Sequence, residues 1–276
     1  MEKTHIPPIK IQGIKSKLVP FIKENIELKE DTLWIEPFMG SGVVGFNMQP
    51  TQAIFCDINP HIINFYQAIQ LGRITPQNTK EFLEENGAKL EEKDYVYYYE
   101  VRNRFNQHHN PLDFLFLNRS CFNGMIRFNK NYEFNTPYGH KPKRFSKAYI
   151  TKITNQISYV QDLITNNDYK FINCSFEYAI SLAGENSIIY CDPPYIGRHN
   201  DYYDSWDLEK ELQLRDCLLK ANCDFVVSTW DHNEYRKNEY IDEVWGFCDK
   251  KTTEHFYYIG GKETNRKPMV EALLIY

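Results

Sequence analysis

The chain has 276 residues, a hydrophobic content of 42%, an aromatic content of 15% and a formal net charge of −5 at pH 7. This length and composition permit a substantial core and predict one large domain, or one domain with an insertion. No apolar run reaches about 18 residues, so we expect no membrane-spanning helix, and we expect no signal peptide at the amino terminus. The seven scattered cysteines predict reduced thiols in a cytoplasmic protein, and the eight histidines show no metal-ligand spacing.

Charged residues are distributed unevenly along the chain. Residues 101–152 contain ten Lys and Arg residues but only two acidic ones, whereas residues 81–94 are rich in glutamate. The negative net charge argues only weakly against a nucleic-acid partner, because the distribution of charge matters more than its sum. We therefore expect one basic face on the folded molecule.

The first candidate binding segment lies near the amino terminus. Residues 6–23 run from an extended stretch through a turn at Gly13 into a helix, for which Ser16 is the expected N-cap. Backbone amides near that turn, together with Lys15, could bind an anionic group. An ordinary helix start with basic residues explains the same pattern equally well.

A glycine-rich turn follows the first predicted strand, residues 33–38, and leads into a helix. Gly40 and Gly42 let the backbone approach a ligand closely. A second strand, residues 52–56, ends beside Asp57, which follows Gly40 by 17 residues, near the spacing at which a carboxylate binds ribose hydroxyl groups. The pattern predicts a ligand site, with a plain βαβ unit as the alternative. The absence of a Gly-Lys-Ser/Thr motif argues against a nucleoside triphosphate.

Residues 60–110 have the apolar periodicity of helices. Their tyrosine-rich run at residues 95–99 could face nucleic acid, but such a stripe more often lies in a core, and we predict the core.

The basic segment contains a loop rich in Asn, Gly, Arg and aromatic residues, which follows a buried helix at about residue 118. Arginine among aromatic side chains suits a surface that reads a guanine edge and inserts into a base stack. A basic loop that binds only phosphates would account for the charge, but not for the spacing of Asn123, Gly124 and Arg127.

The most informative stretch is a short buried strand, Ile188-Ile189-Tyr190, that ends in Asp192-Pro193-Pro194-Tyr195. Two successive prolines supply no backbone donors and end the strand, at the sheet edge where ligands bind in open α/β folds. Asp192 and the Pro193 carbonyl can both accept hydrogen bonds from one planar amino group, which localises its nitrogen lone pair. Tyr195 offers a face on which a base can stack. On these residues alone, a strand ending in an ordinary Pro-Pro turn remains the alternative.

These motifs carry a resemblance that covers nearly the whole chain. Residues 192–195 resemble the motif of methyltransferases that act on the amino groups of adenine or cytosine, and the Asp form resembles the adenine-N6 enzymes. Residues 36–42 look like the S-adenosylmethionine loop of these enzymes. Residues 117–139 closely resemble the recognition segment of Dam-like DNA adenine methyltransferases. Residues 10–15 are similar to that family's Lys-Trp-x-Gly-Gly-Lys segment, with isoleucine at positions 11 and 14.

The resemblance implies an α/β fold with a Rossmann-like S-adenosylmethionine-dependent methyltransferase sheet and a C-terminal antiparallel hairpin. Residues 1–59 and 149–276 would form the catalytic domain, and residues 60–148 an inserted, mostly helical target-recognition domain. The hairpin is expected at residues 255–276, with a basic tip that contacts phosphate. The loop at residues 196–206 is expected to close over a flipped base. The sequence also predicts that Asp207 caps a helix that runs through Leu219.

The family's functional residues carry over onto matching positions. The implied catalytic residues are Asp192, Pro193, Pro194 and Tyr195. The residues implied to bind S-adenosylmethionine are Ile11, Lys15, Glu36, Pro37, Phe38, Gly40, Ser41, Gly42, Asp57, Ile58, Ser175, Phe176 and Asp192. The residues implied to bind DNA are Lys10, Arg119, Phe122, Asn123, Met125, Arg127, Asn129, Pro137 and Lys141. Of these, Phe122 would intercalate and Asn123 would hold the vacated site. Arg127 would read a guanine with help from Lys10, while Met125 and Pro137 would contact the remaining bases.

The implied activity is methyl transfer from S-adenosylmethionine to N6 of a flipped adenine in double-stranded DNA. We expect GATC as the recognition sequence and a monomer without metal or membrane contact, acting beside a separate restriction endonuclease or as an orphan methylase. Two alternatives remain: an amino-group methyltransferase acting on cytosine N4 or RNA, and a non-catalytic DNA-binding relative. Asp before the two prolines argues against the first, and the intact motifs argue against the second.

Overall fold

The computed structural model describes residues 3–196, 206–258 and 266–276, and within them seven strands form one sheet. The strands are β1 (Leu33–Glu36), β2 (Gln52–Asp57), β3 (Asp168–Asn173), β4 (Ser187–Cys191), β5 (Asp224–Asn233), β6 (Asp249–Tyr258) and β7 (Arg266–Ile275). Their order is β3-β2-β1-β4-β5-β7-β6. The first five strands are parallel, and β7 is antiparallel to both of its neighbours. This sheet confirms the predicted methyltransferase fold class with its C-terminal antiparallel hairpin.

Helices cover both faces of the sheet. On one face lie α1 (Val19–Asn25), α2 (Val43–Met48), α3 (Pro60–Gln70), α4 (Pro76–Lys93), α5 (Tyr95–His108), α6 (Pro111–Ser120) and α7 (Lys147–Asn166). On the other lie α8 (Phe176–Ser181), α9 (Leu208–Lys220) and α10 (Tyr240–Trp245). A short 3-10 turn, Phe122–Gly124, follows α6.

The parallel strands are apolar on both sides because each face packs against helices. In β1, Trp34 belongs to the core shared with α1–α7, and Ile35 to the core shared with α8–α10. Tyr190 and Ile189 of β4 alternate in the same way. Polar residues placed where these strands end therefore meet at one edge of the sheet.

The predicted insertion at residues 60–148 contains two kinds of helix. α3 packs on the sheet, where Tyr66 stacks on Phe171 with ring centroids 5.6 Å apart and donates a 2.6 Å hydrogen bond to the Ser41 carbonyl. Helices α4–α6 extend the same core away from the sheet. Tyr97 and Tyr98 of α5 are buried, which confirms the core prediction for those two members of the run. The prediction is wrong for Tyr95 and Val96, which are exposed at the start of the helix.

Of the two predicted N-caps, one is correct and one is wrong. Asp207 accepts a backbone hydrogen bond in the first turn of α9, as predicted. The prediction that Ser16 caps the first helix is wrong. α1 begins at Val19, because the Lys15 carbonyl accepts the amides of Leu18 and Val19 at 2.8 and 3.1 Å and forms a turn ahead of the helix.

Two predictions fall on parts of the chain outside the described residues. The predicted closing loop is described only at its ends, Ile196 and Trp206, and most of the basic hairpin tip lies within residues 259–265. Among the helices that are described, none is both long and apolar enough to cross a lipid bilayer.

Candidate active site

The turn after β1 places backbone amides beside a carboxylate. Gly40 and Gly42 have φ values of +49° and +71°, and the Gly40 amide donates to Asp57 Oδ2 at 2.8 Å. A Cβ atom on Gly42 would lie 2.5 Å from the Phe46 ring, so a side chain does not fit there. The ends of β1 and β2 thus form a cradle of backbone and carboxylate at one edge of the sheet.

Two buried carboxyl groups stabilise this cradle. Glu36 Oε2 accepts hydrogen bonds from Trp34 Nε1 at 3.1 Å and from the Gly45 amide at 3.0 Å, which ties β1 to α2. Burial raises the pKa of Glu36 to about 8, although the two hydrogen bonds to its carboxylate act to lower it. Burial also raises the pKa of Asp57 to about 6, while its hydrogen bonds from the amides of Asn59 and Gly40 act in the opposite direction.

Apolar and aromatic residues flank the cradle. Phe38 stacks on Phe176 with centroids 5.6 Å apart, and both contact the ring of Trp206 edge-on. Ile58 and Ser175 are exposed beside the ends of β2 and β3. Pro37 and Ser41, also in the predicted cofactor-binding set, are buried in the turn.

The amino-terminal segment lies over this edge. Ile11 packs on the turn, because a Cβ on Gly40 would be 3.3 Å from Ile11 Cδ1. Lys15 is only 5% exposed, and its Nζ lies 2.8 Å from Asp192 Oδ1 and 5.0 Å from the centroid of the Tyr195 ring. The resemblance implied Lys15 as a cofactor ligand, but the sequence gave no sign that Lys15 would pair with Asp192.

The Asp-Pro-Pro-Tyr turn lies at the carboxyl end of β4. Cys191 pairs with Val227 of β5, which places Ser228 beside Asp192. Ser228 Oγ donates to Asp192 Oδ1 at 2.9 Å. Among the described residues, the contacts of the Asp192 carboxylate from Lys15 and Ser228 both involve Oδ1. Oδ2 is therefore the oxygen that can serve a substrate.

Tyr195 is tied to the C-terminal strand. Its hydroxyl donates to Glu271 Oε2 at 3.0 Å, and Glu271 is buried on β7. Pro193 is buried and Pro194 is half-buried in the same turn. Sequence reasoning missed Ser228 and Glu271. Their only signal was a polar residue in an apolar strand: Ser228 directly follows Phe225–Val227, and Glu271 interrupts Met269–Leu274.

A second predicted site is the loop after α6. Its ends meet through hydrogen bonds from the Phe122 amide to the Pro137 carbonyl at 2.8 Å and from the Gly139 amide to the Ser120 carbonyl at 3.0 Å. Phe122 is 48% exposed, and Asn123 and Pro137 are exposed as well. The loop therefore presents an aromatic ring to solvent next to polar and apolar neighbours.

Lys10 is held against this loop by its main chain. Its amide donates to Asn118 Oδ1 at 2.9 Å, and Asn118 Nδ2 donates back to the Lys10 carbonyl at 2.8 Å. A Cβ on Gly124 would lie 3.0 Å from Lys10 Cδ. Burial lowers the pKa of Lys10, and so do the nearby Arg119 and Arg144. Asn118 thus joins the amino-terminal segment to the loop.

The remaining loop residues differ in exposure. Arg127 is half-buried and donates from Nε to Asn135 Oδ1 at 2.9 Å. Asn129 Oδ1 accepts two backbone amides of the turn that follows, at 2.9 and 3.1 Å. Met125 is half-buried, and Lys141 is exposed.

Arg119 does not support its predicted role. The side chain is 2% exposed, and its guanidinium donates to Gln156 Oε1 at 2.5 Å and to the Tyr149 hydroxyl at 3.3 Å. Its carbonyl accepts from Arg144 Nε at 2.8 Å. The guanidinium stabilises the base of the loop from within the core and is covered from DNA. Arg119 is therefore not expected to contact DNA.

Comparison with known proteins identifies the family. The model of the D12 class of N6 adenine-specific DNA methyltransferases matches residues 12–264. The chain belongs to this family. It is 31% identical over 235 residues to the type II methyltransferase M.MjaIII of Methanocaldococcus jannaschii, covering 76% of this chain and 77% of that protein. It is 33% identical over 199 residues to the DNA adenine methylase of Haemophilus influenzae, covering 69% and 64%. It is 27% identical over 232 residues to the type II methyltransferase M1.LlaDCHI of Lactococcus lactis subsp. cremoris, covering 78% and 77%.

The protein is thus an adenine-N6 DNA methyltransferase of the type II restriction-modification or Dam type, which confirms the resemblance drawn from the motifs. This D12-class enzyme has its cofactor-type loop, its Asn-Gly-x-x-Arg loop and its Asp-Pro-Pro-Tyr turn all within the matched residues.

The family generally uses S-adenosylmethionine, and the sheet edge fits that group. Asp57 offers acceptors for ribose hydroxyl groups next to a turn that admits no side chain at Gly42. Lys15 and Asp192 offer the opposite charges that a methionine carboxylate and ammonium require. Ile58 provides an exposed apolar surface for an adenine ring.

Proposed function

We propose that this enzyme transfers a methyl group from S-adenosylmethionine to N6 of adenine within GATC in double-stranded DNA, after the adenine has flipped out of the duplex. The observation that carries the proposal is the position of Asp192. It follows β4, is held on Oδ1 by Lys15 and Ser228, and begins the Pro193-Pro194-Tyr195 turn.

The chemistry follows from the acceptors in that turn. Asp192 Oδ2 and the Pro193 carbonyl accept the two hydrogens of the N6 amine, which localises the nitrogen lone pair. Tyr195 stacks on the adenine ring, a contact worth about 1–3 kcal/mol per base. S-adenosylmethionine supplies an electrophilic methyl group on its sulfonium.

Proton loss from N6 follows bond formation. With S-adenosylmethionine bound, an N6–CH3 bond would form in line as the C–S bond of the sulfonium breaks. S-adenosylhomocysteine would leave as a neutral thioether, and the extra proton on the cationic N6 would then pass to Asp192 or to water. A strong base is not required, because the proton is acidic once the new bond exists. Positioning and electrostatic complementarity therefore provide most of the acceleration.

The cofactor would lie along the ends of β1, β2 and β4. Asp57 would hold the ribose, and Ile58, Phe38 and Phe176 would border the adenine, with Ser175 nearby. Glu36, buried behind the turn with hydrogen bonds to Trp34 and Gly45, keeps the turn in place.

Helices α4–α6 and the chain up to residue 146 would form the DNA-recognition part, while α3 belongs with the sheet. Phe122 would enter the base stack in place of the flipped adenine, which offsets part of the few kcal/mol that flipping costs. Asn123 would hold the vacated position. Arg127 and Lys10 would read a guanine, and Lys141 would contact phosphate. Met125 and Pro137 would contact the other bases, and Asn129 would shape the turn beside them.

We propose that the protein acts as a monomer. A cognate restriction endonuclease, where one exists, would be a separate protein that cuts the same sequence.

The test is methyl transfer by Asp192→Ala to a duplex that contains one GATC site. We expect the rate to fall by at least about 100-fold, since an acceptor for the reacting amine is lost. The matched control is Asp224→Ala, which removes an exposed aspartate at the opposite end of β5 and should keep full activity. Near-normal adenine methylation by Asp192→Ala would contradict the proposed roles. Label in cytosine or RNA with the wild-type enzyme would contradict the proposed substrate.

A further inference from the structure

We propose that Ser228 is a positioning residue for catalysis, which orients the Asp192 carboxylate through a hydrogen-bond chain that begins at Tyr190. The inference rests on the proposed role of Asp192 in binding the N6 amine. It assigns a function to a β5 residue that lies outside the Asp-Pro-Pro-Tyr turn.

The register of the central strands places the three side chains together. Tyr190 pairs with Val226 and Cys191 with Val227 in the parallel ladder of β4 and β5. Side chains two residues apart on a strand share a face, so Tyr190 and Asp192 lie on the same side of the sheet. The ladder ends at Cys191 and Val227, and Ser228 follows Val227 as Asp192 follows Cys191, so the Ser228 hydroxyl reaches both Tyr190 and Asp192 on that side. The contact is therefore a consequence of sheet register in the centre of the fold.

The hydrogen-bond chain has a defined direction. The Tyr190 side chain is fully buried, stacks on Trp34 at 5.6 Å, and donates its hydroxyl hydrogen to Ser228 Oγ at 3.0 Å. A serine hydroxyl has one hydrogen to give. Asp192 Oδ1, at 2.9 Å, is closer to Ser228 Oγ than the Cys191 carbonyl at 3.4 Å, and a charged acceptor is preferred. Ser228 therefore donates to the carboxylate.

The second contact on the same oxygen comes from a different part of the chain. Lys15 Nζ lies 2.8 Å from Oδ1, but Lys15 belongs to the amino-terminal segment ahead of α1. Ser228 is only 2% exposed and lies in a strand that is paired on both sides. Of the two partners, Ser228 is the one fixed by the sheet.

Orientation matters because the torsion that turns a carboxylate is broad. The N6 amine needs two acceptors, Asp192 Oδ2 and the Pro193 carbonyl, at the same time. Holding Oδ1 also holds Oδ2, so the loss of Ser228 should affect the methyl-transfer step more than the binding of either substrate.

The experiment compares Ser228→Thr with Ser228→Val, two variants of nearly the same shape that differ in the hydroxyl group. Single-turnover methyl transfer is measured with labelled S-adenosylmethionine and an unmethylated duplex, and dissociation constants are measured for both ligands. We expect Ser228→Val to be slower than Ser228→Thr by about 10- to 100-fold, with equal dissociation constants. Equal rates for the two variants would overturn the inference.

A buried serine elsewhere on the same strands provides the control. Ser187 begins β4 at the opposite end, is 3% exposed, and accepts a 2.9 Å hydrogen bond from the Gly184 amide. Ser187→Ala should keep the wild-type rate, whereas Ser228→Ala should lose about as much as Ser228→Val. A loss of the same size in Ser187→Ala would show a general structural effect and overturn the inference.

Tyr190→Phe tests the hydrogen-bond chain without changing Ser228, because it removes only the hydroxyl group that donates to Ser228 Oγ. It should lower the rate in the wild-type background and have no further effect in Ser228→Ala, because the chain is already broken. Additive losses would overturn the inference.

Asp192→Ala distinguishes a failure of the proposed function from a failure of the proposed role of Ser228. If that variant still methylates adenine, the proposed function fails. If it is inactive while Ser228→Val is fully active, only the role of Ser228 fails.

Discussion

Asp57 and Asp192 both lie at the carboxyl ends of parallel strands, but their partners differ. Asp57 accepts hydrogen bonds from the amides of Gly40 and Asn59, which fix it as part of a backbone cradle. Asp192 contacts an ammonium group and a hydroxyl group, both on one oxygen. The first arrangement suits a binding carboxylate, and the second suits a carboxylate that keeps one oxygen for a reacting group.

Base discrimination at one position is expected to depend on Arg127. Arg127→Ala should reduce the preference for the cognate base by about 1–3 kcal/mol and leave cofactor binding unchanged. Lys141→Ala is the matched control, since an exposed phosphate contact should weaken binding to all sequences alike and reduce the salt dependence. Methylation rates on the cognate duplex and on single-base variants measure the difference. Equal losses on every duplex would make Arg127 a phosphate contact instead.

The motif residues could be found from the sequence, but the residues that hold them in place could not. Asp192 and Gly42 stand in local patterns whose chemistry is apparent without the fold. Ser228, Glu271 and Asn118 act through contacts with residues 36, 76 and 108 positions away. Arg119 was misjudged for the same reason, because only the packing of α6 against α7 shows that its charge is covered.

Among the structural elements, the turn between β1 and α2 is the most restrictive. Gly42→Ala should destabilise the fold and weaken S-adenosylmethionine binding by at least about tenfold, because it combines a positive φ with a Cβ only 2.5 Å from the Phe46 ring. Gly184→Ala is the control, since a Cβ at Gly184 has no atom within 4 Å. Binding and urea unfolding of both variants measure the effect. Tight cofactor binding by Gly42→Ala would show that the turn tolerates a side chain.

α3 joins the sheet to the loop after α6 through His61. His61 Nε2 lies 3.3 Å from the Tyr132 carbonyl, and the ring stacks on Phe128 at 4.8 Å. Burial lowers the pKa of His61 from 6.5 to about 4. Between these values the unfolded chain binds more protons than the folded one, so stability is lost as the pH falls from about 6.5 to about 4.

This contribution can be isolated with His61→Phe, which keeps a ring but cannot titrate. The free energy of unfolding in urea should fall by up to about 3 kcal/mol more in the wild type than in His61→Phe between pH 7 and pH 4. Identical pH dependence in the two proteins would mean that His61 is not buried as a neutral ring.

Strands and helices were predictable where apolar patterns were long, and their ends were less so. The glycine turn and the start of α9 were located correctly, because Gly-x-Gly and Asp207 have direct backbone consequences. Ser16 failed as a cap because a turn closed on Lys15 displaced the start of α1. That α3 belongs with the sheet depends on the ring stacking of Tyr66 on Phe171, which no local pattern reveals.

For the whole molecule, the sheet order explains how distant segments form one site. β1, β2 and β4 lie side by side at the centre of the sheet, so Gly40, Asp57 and Asp192 meet at one edge. Lys15 and Lys10 belong to one segment, which contacts both the Asp-Pro-Pro-Tyr turn and the end of α6 that leads into the following loop. A short stretch of chain therefore connects the two regions to which we assign methyl transfer and base recognition.

The most direct test of the proposed function is methylation of unmodified bacterial DNA by the purified protein with labelled S-adenosylmethionine, followed by mapping of the modified base and its sequence context. We expect N6-methyladenine confined to GATC, since Lys10, Arg127 and Pro137 occupy the matching recognition positions. N6-methyladenine in another short motif would contradict the proposed roles of these residues in specificity. Label in cytosine, or no label in DNA despite measurable cofactor binding, would contradict the proposed function itself.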